Sequence, residues 1–267
     1  MNINTTGKQS YQQLEQLLSR FSPISLAEMA DVSLLDRIDT KYLMQVNDLF
    51  LILEQVRSHY RILDINHVRL NRYHTVYFDE TDFTFYNQHH NKHANRYKVR
   101  AREYVDTNLA FFEVKHKTNK KRTIKSRLPL DKIGKPTDEV NDFVDHYVPI
   151  DSHQLEAKLW NDYLRLTLVS QSRPERVTID LELSFGHEQN QVSLPGMAIA
   201  EVKQEHFSQD SHFIQQMRQL SIRRESFSKY CAGVYLLYDD VKTNNFKPVM
   251  RKVQQLVQQE APYASIY

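Results

Sequence analysis

An α+β fold is predicted for this sequence: an antiparallel β-barrel forming a tunnel with a charged interior, flanked by helices and ending in a helical C-terminal segment. Three features predict it. Six segments between residues 37 and 203 alternate charged with apolar residues at the period of a strand. The chain after residue 208 takes on helical spacing. No stretch is rich enough in Ser, Pro or Gly to be a flexible linker, and there are no internal repeats. A sheet with one charged and one apolar face can close with the charges inside, leaving its apolar back to be covered by helices.

The elements follow in order. Leu14, Leu17, Leu18 and Phe21 mark an amphipathic helix ending before Ser22-Pro23, so residues 1–30 form a helical lead-in and residues 31–260 a single tunnel domain. Arg37, Asp39 and Lys41 share the first strand face. Helices are expected near 47–58 and 81–92. The segment 96–102 then sets Arg96, Lys98, Arg100 and Arg102 opposite Tyr97, Val99 and Ala101. Next come Glu113, Lys115 and Lys117, backed by Phe112 and Val114, and the face of Thr123, Lys125 and Arg127. Helices near 138–147 and 153–160 precede Arg176, Thr178, Asp180 and Glu182, backed by Val177, Ile179, Leu181 and Leu183. Glu201 and Lys203, backed by Ala200 and Val202, complete the set, and helices near 209–220, 226–238 and 246–259 close the chain.

Composition excludes several classes. The chain has 267 residues, 40% hydrophobic and 25% charged, enough for a sizeable core. Thirty-five Lys and Arg against 33 Asp and Glu leave a formal charge of +2, so any anion site must come from local arrangement. The lone Cys231 rules out an internal disulfide framework and any CxxC metal site. No basic start followed by an apolar stretch marks a secretory signal, and no apolar run reaches the roughly 20 residues that span a bilayer, so the expected location is cytoplasmic.

Five glycines supply neither GxxxxGK nor GxGxxG, so phosphate would have to be gripped by side chains. His89 and His93 in "HHNKH" have a helical zinc spacing, but nothing at motif spacing completes that site. Tyr97 and Tyr104 alternate unevenly with the basic face of "RYKVRAREY" and form no stacking platform, so no nucleic acid is expected.

Solvated faces usually carry Thr, Ser and Gln, whereas these rows are almost wholly charged, with like charges stacked where they repel. An anion should neutralise them. Arg offers a planar fork that matches phosphate oxygens and Lys a movable point charge, so a mixed row suits several phosphoryl groups in series. Carboxylates among cations oppose simple anion binding but supply the hard oxygens that Mg2+ or Mn2+ needs while bridging phosphates. Glu113, Asp180, Glu182 and Glu201 are the candidates.

The strings "DRIDTKYLM" (36–44), "YFDE" (77–80), "RYKVRAREY" (96–104), "FFEVKHK" (111–117), "RVTIDLEL" (176–183), "AIAEVK" (198–203) and "SFSKYCAG" (226–233) resemble, in order and spacing, the VTC domain. That is the polyphosphate polymerase domain of the triphosphate tunnel metalloenzyme superfamily, and the resemblance covers roughly residues 30 to 250. It implies an antiparallel β tunnel that transfers the γ-phosphate of ATP to a growing polyphosphate chain with Mn2+ or Mg2+, releasing ADP. By motif it implies catalytic roles for Lys41, Arg100, Arg102, Lys115, Arg176 and Lys229, with Glu201 as the metal-binding acid. Lys229 precedes a helix and periodicity would not select it. Arg37, Lys98, Lys117, Lys125, Arg127, Arg173 and Lys203 complete the expected substrate track. Tyr42 and Tyr230, beside matched lysines, are read as packing. Unlike the best-known eukaryotic arrangement, the chain shows neither a membrane segment nor a separate N-terminal phosphate-sensing domain. Two other activities stay open: hydrolysis of tripolyphosphate or a nucleoside triphosphate, with Glu113 or Glu182 orienting water, and non-catalytic sensing of a polyanion.

Overall fold

The computed structural model describes residues 5–30, 37–120 and 122–258; the ends of the expected lead-in, of the tunnel domain and of the last helix lie outside these. In chain order the elements are α1 (Thr5–Ser19), β1 (Ser22–Ile24), α2 (Leu26–Ala30), β2 (Ile38–Gln45), α3 (Val46–Val56), β3 (Tyr60–Leu63), β4 (Asn71–Asp79) and α4 (Thr84–His90). Then follow β5 (Arg96–Tyr104), β6 (Leu109–Lys117), β7 (Thr123–Leu130), α5 (Asp138–Tyr147), β8 (Glu156–Ser170), β9 (Glu175–His187), β10 (Asn190–Leu194) and β11 (Met197–Gln204). The chain continues through α6 (His212–Gln219), β12 (Arg224–Glu225), α7 (Lys229–Leu237) and α8 (Lys247–Gln258).

The strands form one 12-stranded sheet whose main path runs β12-β2-β11-β9-β8-β4-β5-β6-β7. Pairing is antiparallel except between β1 and β3. Laid flat, β6 would stand six strand spacings, about 29 Å, from β2. Yet Lys115 of β6 is close enough to Lys41 of β2 and Glu201 of β11 for both charges to act on it. The sheet therefore curls until its charged faces oppose each other. Among the described residues no backbone ladder joins β7 to β12, so the curl is not a hydrogen-bonded closed barrel.

The apolar backs are covered as their alternation requires. Val177, Ile179 and Leu181 of β9 and Ala200 and Val202 of β11 pack with Leu14, Leu17 and Leu18 of α1, Leu49, Ile52 and Leu53 of α3, and Phe213, Ile214 and Met217 of α6. Behind β5 and β6, Val99, Ala101, Phe112 and Val114 meet Val140 and Val144 of α5. Thr137 caps α5 by accepting the Val140 N–H at 3.4 Å, with Asp138 and Glu139 in its first turn.

One expectation fails here. Residues 153–160 are not a helix: after a single turn over 152–154 the chain enters β8. Helix-compatible Glu156, Ala157 and Lys158 mask a strand whose partners β4 and β9 supply the ladder hydrogen bonds that local preference cannot anticipate.

Candidate active site

The site is built where alternation brings side chains from β2, β5, β6, β8, β9 and β11 onto the inner face. Glu201 stands opposite Lys41 on β2 and Thr178 on β9. Its carboxylate is gripped by the ammonium groups of Lys41 and Lys203, while Lys203 also donates to Thr178 Oγ1 at 2.9 Å. On the opposing wall Glu113 takes two bonds from Arg100, at 2.6 and 2.7 Å, and pairs with Lys125. Between them Asp180 accepts both prongs of Arg165, at 2.5 and 2.8 Å, and pairs with Lys229 at the start of α7. Each of these three acids is thus bracketed by two cations.

Burying a lone carboxylate would be costly; two cations reverse the balance. Burial pushes the Glu113 carboxyl up, but Arg100, Arg102 and Lys125 outweigh it and hold it down at about 2. For Asp180, Arg165 and Lys229 likewise overcome burial and hold the pKa below the usual carboxylate range; Lys203 and Lys41 do so for Glu201. Among the described residues Lys98 and Arg176 have no carboxylate of their own within ion-pair distance. Burial, with Lys115, Lys41 and Arg100 nearby, lowers Lys98 to about 7, and burial and Arg37 push Arg176 down. Arg176 Nε is buried without an acceptor. An interior in which cations press on one another is set up to receive an anion.

An aromatic wall backs the cations. Tyr73 and Tyr163 stack at 5.1 Å between centroids, with Arg165 at 4.9 and 5.2 Å from the two rings and Lys229 at 4.4 Å from Tyr163. Arg102 donates to Thr75 Oγ1 at 3.2 Å, and Arg127 lies 4.9 Å from the Phe111 centroid.

Charge does not line the whole inner face. Beyond Lys41, Asp180 and Glu201 it turns apolar, where Leu43, Leu183 and Ile199 pack against Tyr230, Cys231 and Val234 of α7 and Met250 and Val253 of α8. Gly233 lets α7 approach this closely, since a Cβ there would come within 2.9 Å of Leu159 and Phe185. Ser228 caps α7 by accepting the Cys231 N–H at 3.3 Å and also accepts from Lys98 at 2.8 Å, so the helix start joins the track. Tyr230 is packing, as expected, but its hydroxyl also donates to buried Asp79, which accepts the N–H groups of Phe85 and Tyr86 of α4.

Several expected residues stand elsewhere. Glu182 is exposed, with a left-handed φ of 51°, where β9 carries one residue more than β8 between the pairs Leu181–Leu164 and Ser184–Asp162. The bulge reverses the alternation, sends Leu183 inward and leaves Glu182 outside, close enough to Tyr11 of α1 to act on it. Glu182 is therefore not with the other acids. Arg173, in the β8–β9 turn, acts on His212, which stacks on His59 at 3.6 Å; neither ring belongs to the inner face. Arg37 sits at the rim, 3.1 Å from Asp39, and Lys117 at the end of β6 opposite Arg96. Arg165 was missed with its strand, although Leu164, Leu166 and Leu168 alternate around it.

Among the described residues no three acids, histidines or cysteines come together to hold a metal ion. The donor chemistry still fits magnesium or manganese in one mode, a single carboxylate together with substrate phosphates. Glu201 suits it, its side chain 20% exposed against 2% for Glu113 and 5% for Asp180.

A curled antiparallel sheet enclosing paired acids and surplus cations defines the class of triphosphate tunnel proteins. The chain belongs to the VTC domain family, whose model matches residues 36–238. Among solved structures it is similar to a candidate adenylate cyclase from Bacillus halodurans, at 14% identity and TM-score 0.50, covering 76% of this chain and 98% of that one. A conserved Pyrococcus furiosus protein is similar at 9% identity and TM-score 0.42, covering 73% and 98%. So is a candidate adenylyl cyclase from Hippeastrum, described as having a dominant triphosphatase activity, at 7% identity and TM-score 0.45, covering 76% and 98%. No curated protein matches the sequence significantly.

Proposed function

We propose that this chain is a metal-dependent polyphosphate polymerase that transfers the γ-phosphate of ATP to the end of a polyphosphate chain and releases ADP. The observation that supports it best is the pairing of a long cation row on β5 and β6 with a solvent-reachable acid, Glu201, on the opposing β11. Phosphoryl transfer needs positioning and charge neutralisation more than covalent help from the protein. Arg100, Arg102, Lys115, Arg165 and Arg176 would neutralise the phosphate oxygens, with Lys229 and the start of α7 beside the transferred group. Glu201 would hold Mg2+ or Mn2+, which when bound supplies Lewis-acid polarisation of the phosphates.

A hydrolase is the second reading, and one observation favours it: the inner face turns apolar against α7, which narrows the exit open to a long product. Incubation of the purified protein with ATP and Mn2+, with and without a short polyphosphate primer, separates the two. Polymer with matching ADP establishes the polymerase. Free phosphate without polymer establishes the hydrolase, and tight triphosphate binding with neither product leaves a polyanion sensor.

A further inference from the structure

Beyond Arg100 the track continues for four more residues of β5, about 13 Å, without an acid. Lys98 stands directly opposite Lys115, and Arg96 opposite Lys117. Directly opposed like charges destabilise a sheet unless something lies between them. Among the described residues Lys98, Lys115 and Arg96 meet no carboxylate within ion-pair distance; Lys98 donates to Ser228, and Arg96 donates through Nη1 to the His93 carbonyl at 2.7 Å. Arg96 Nε is buried and reaches no acceptor. The helix α4, held against α7 through Asp79 and Tyr230, brings His89 to this end, where Lys98, Arg96, Lys115 and Lys117 all act on it. His90, its neighbour, is engaged by Asn245, which donates a backbone N–H to His90 Nε2 at 3.2 Å. The "HHNKH" segment therefore contributes one imidazole to packing and one to the cations.

We infer that Arg96, Lys117 and His89 form a second anion subsite past the start of α7, which takes the phosphates of a linear chain beyond the first three. It is a length-selecting subsite that rests on the reading above. It also gives the product a path that avoids the apolar seal, over the Arg96–Lys117 end of β5 and β6, beside the end of α4. Burial and its four cationic neighbours depress the pKa of His89, so it stands neutral while the subsite is empty.

The test compares tripolyphosphate with a longer linear polyphosphate by titration calorimetry on the full chain, wild type, Arg96→Ala and His89→Gln. The longer chain should bind about tenfold more tightly, the worth of one or two charge-assisted contacts. Each variant should lose most of that gain and keep its tripolyphosphate affinity, which also reports that it is folded. Equal affinity for the two lengths in the wild type, or a gain that survives in both variants, would overturn the subsite. Failure of the wild type to bind tripolyphosphate would instead overturn the polyanion reading itself.

Discussion

Glu201 and Glu113 carry the same charge and the same two-cation bracket, but only Glu201 can be reached from the cavity. Glu201→Gln should therefore abolish metal-dependent turnover while triphosphate binding, measured by calorimetry, stays within a few-fold, because Lys41 and Lys203 remain. Full activity in that variant would remove Glu201 from the metal site. At Lys98 the prediction concerns pH. Its ammonium, ordinarily near 10.5, is held at about 7 in the empty protein. A bound polyanion restores the proton, so affinity should fall as pH rises above 7 and binding near pH 8 should take up a proton, visible as a buffer-dependent calorimetric enthalpy. The same depressed pKa means that the unfolded chain binds more protons between about 7 and 10.5, so this group's contribution makes stability rise with pH across that window. Lys98→Met should remove both effects.

At the scale of elements, β8 is pinned by its neighbours and one glycine. A Cβ on Gly186 would meet the Trp160 ring at 2.2 Å, so Gly186→Ala should force the ring aside and cost about 1–3 kcal/mol in denaturant unfolding. Trp160 is the only tryptophan, and its emission should shift in the same variant. The alternation of 96–102 and 176–180 was readable in the sequence because both strands are regular and each face has a single environment. What stayed hidden depended on neighbours. Periodicity places Glu182 inward because it cannot register an extra residue, and the bulge exists only in relation to β8. Arg165 went unnoticed because Glu156, Ala157 and Lys158 open its strand with helix-compatible residues. Lys229, which family resemblance alone singles out, reaches the site because Ser228 caps α7 and aims the helix start inward.

For the whole molecule, a net charge of +2 hides a local excess: on the inner walls Glu113, Asp180 and Glu201 are each held by two cations, and Lys98, Lys115 and Arg176 stand in addition to those. Salt should therefore weaken triphosphate binding steeply while leaving the melting temperature nearly unchanged, since Glu113 and Asp180 are shielded from solvent. A binding constant that ignored ionic strength between 50 and 500 mM would show that the cavity is not where the anion sits. Among the described residues β7 and β12 are the two ends of the sheet's main path with no ladder between them, and this adds a mechanical consequence. Every neighbouring pair along that path is laced by main-chain hydrogen bonds, so the curl can widen at this gap, like a split ring, without breaking a ladder. A closed ring admits a polymer only by its end, whereas a split one admits it broadside, and a circular phosphate chain with no ends could then still be captured.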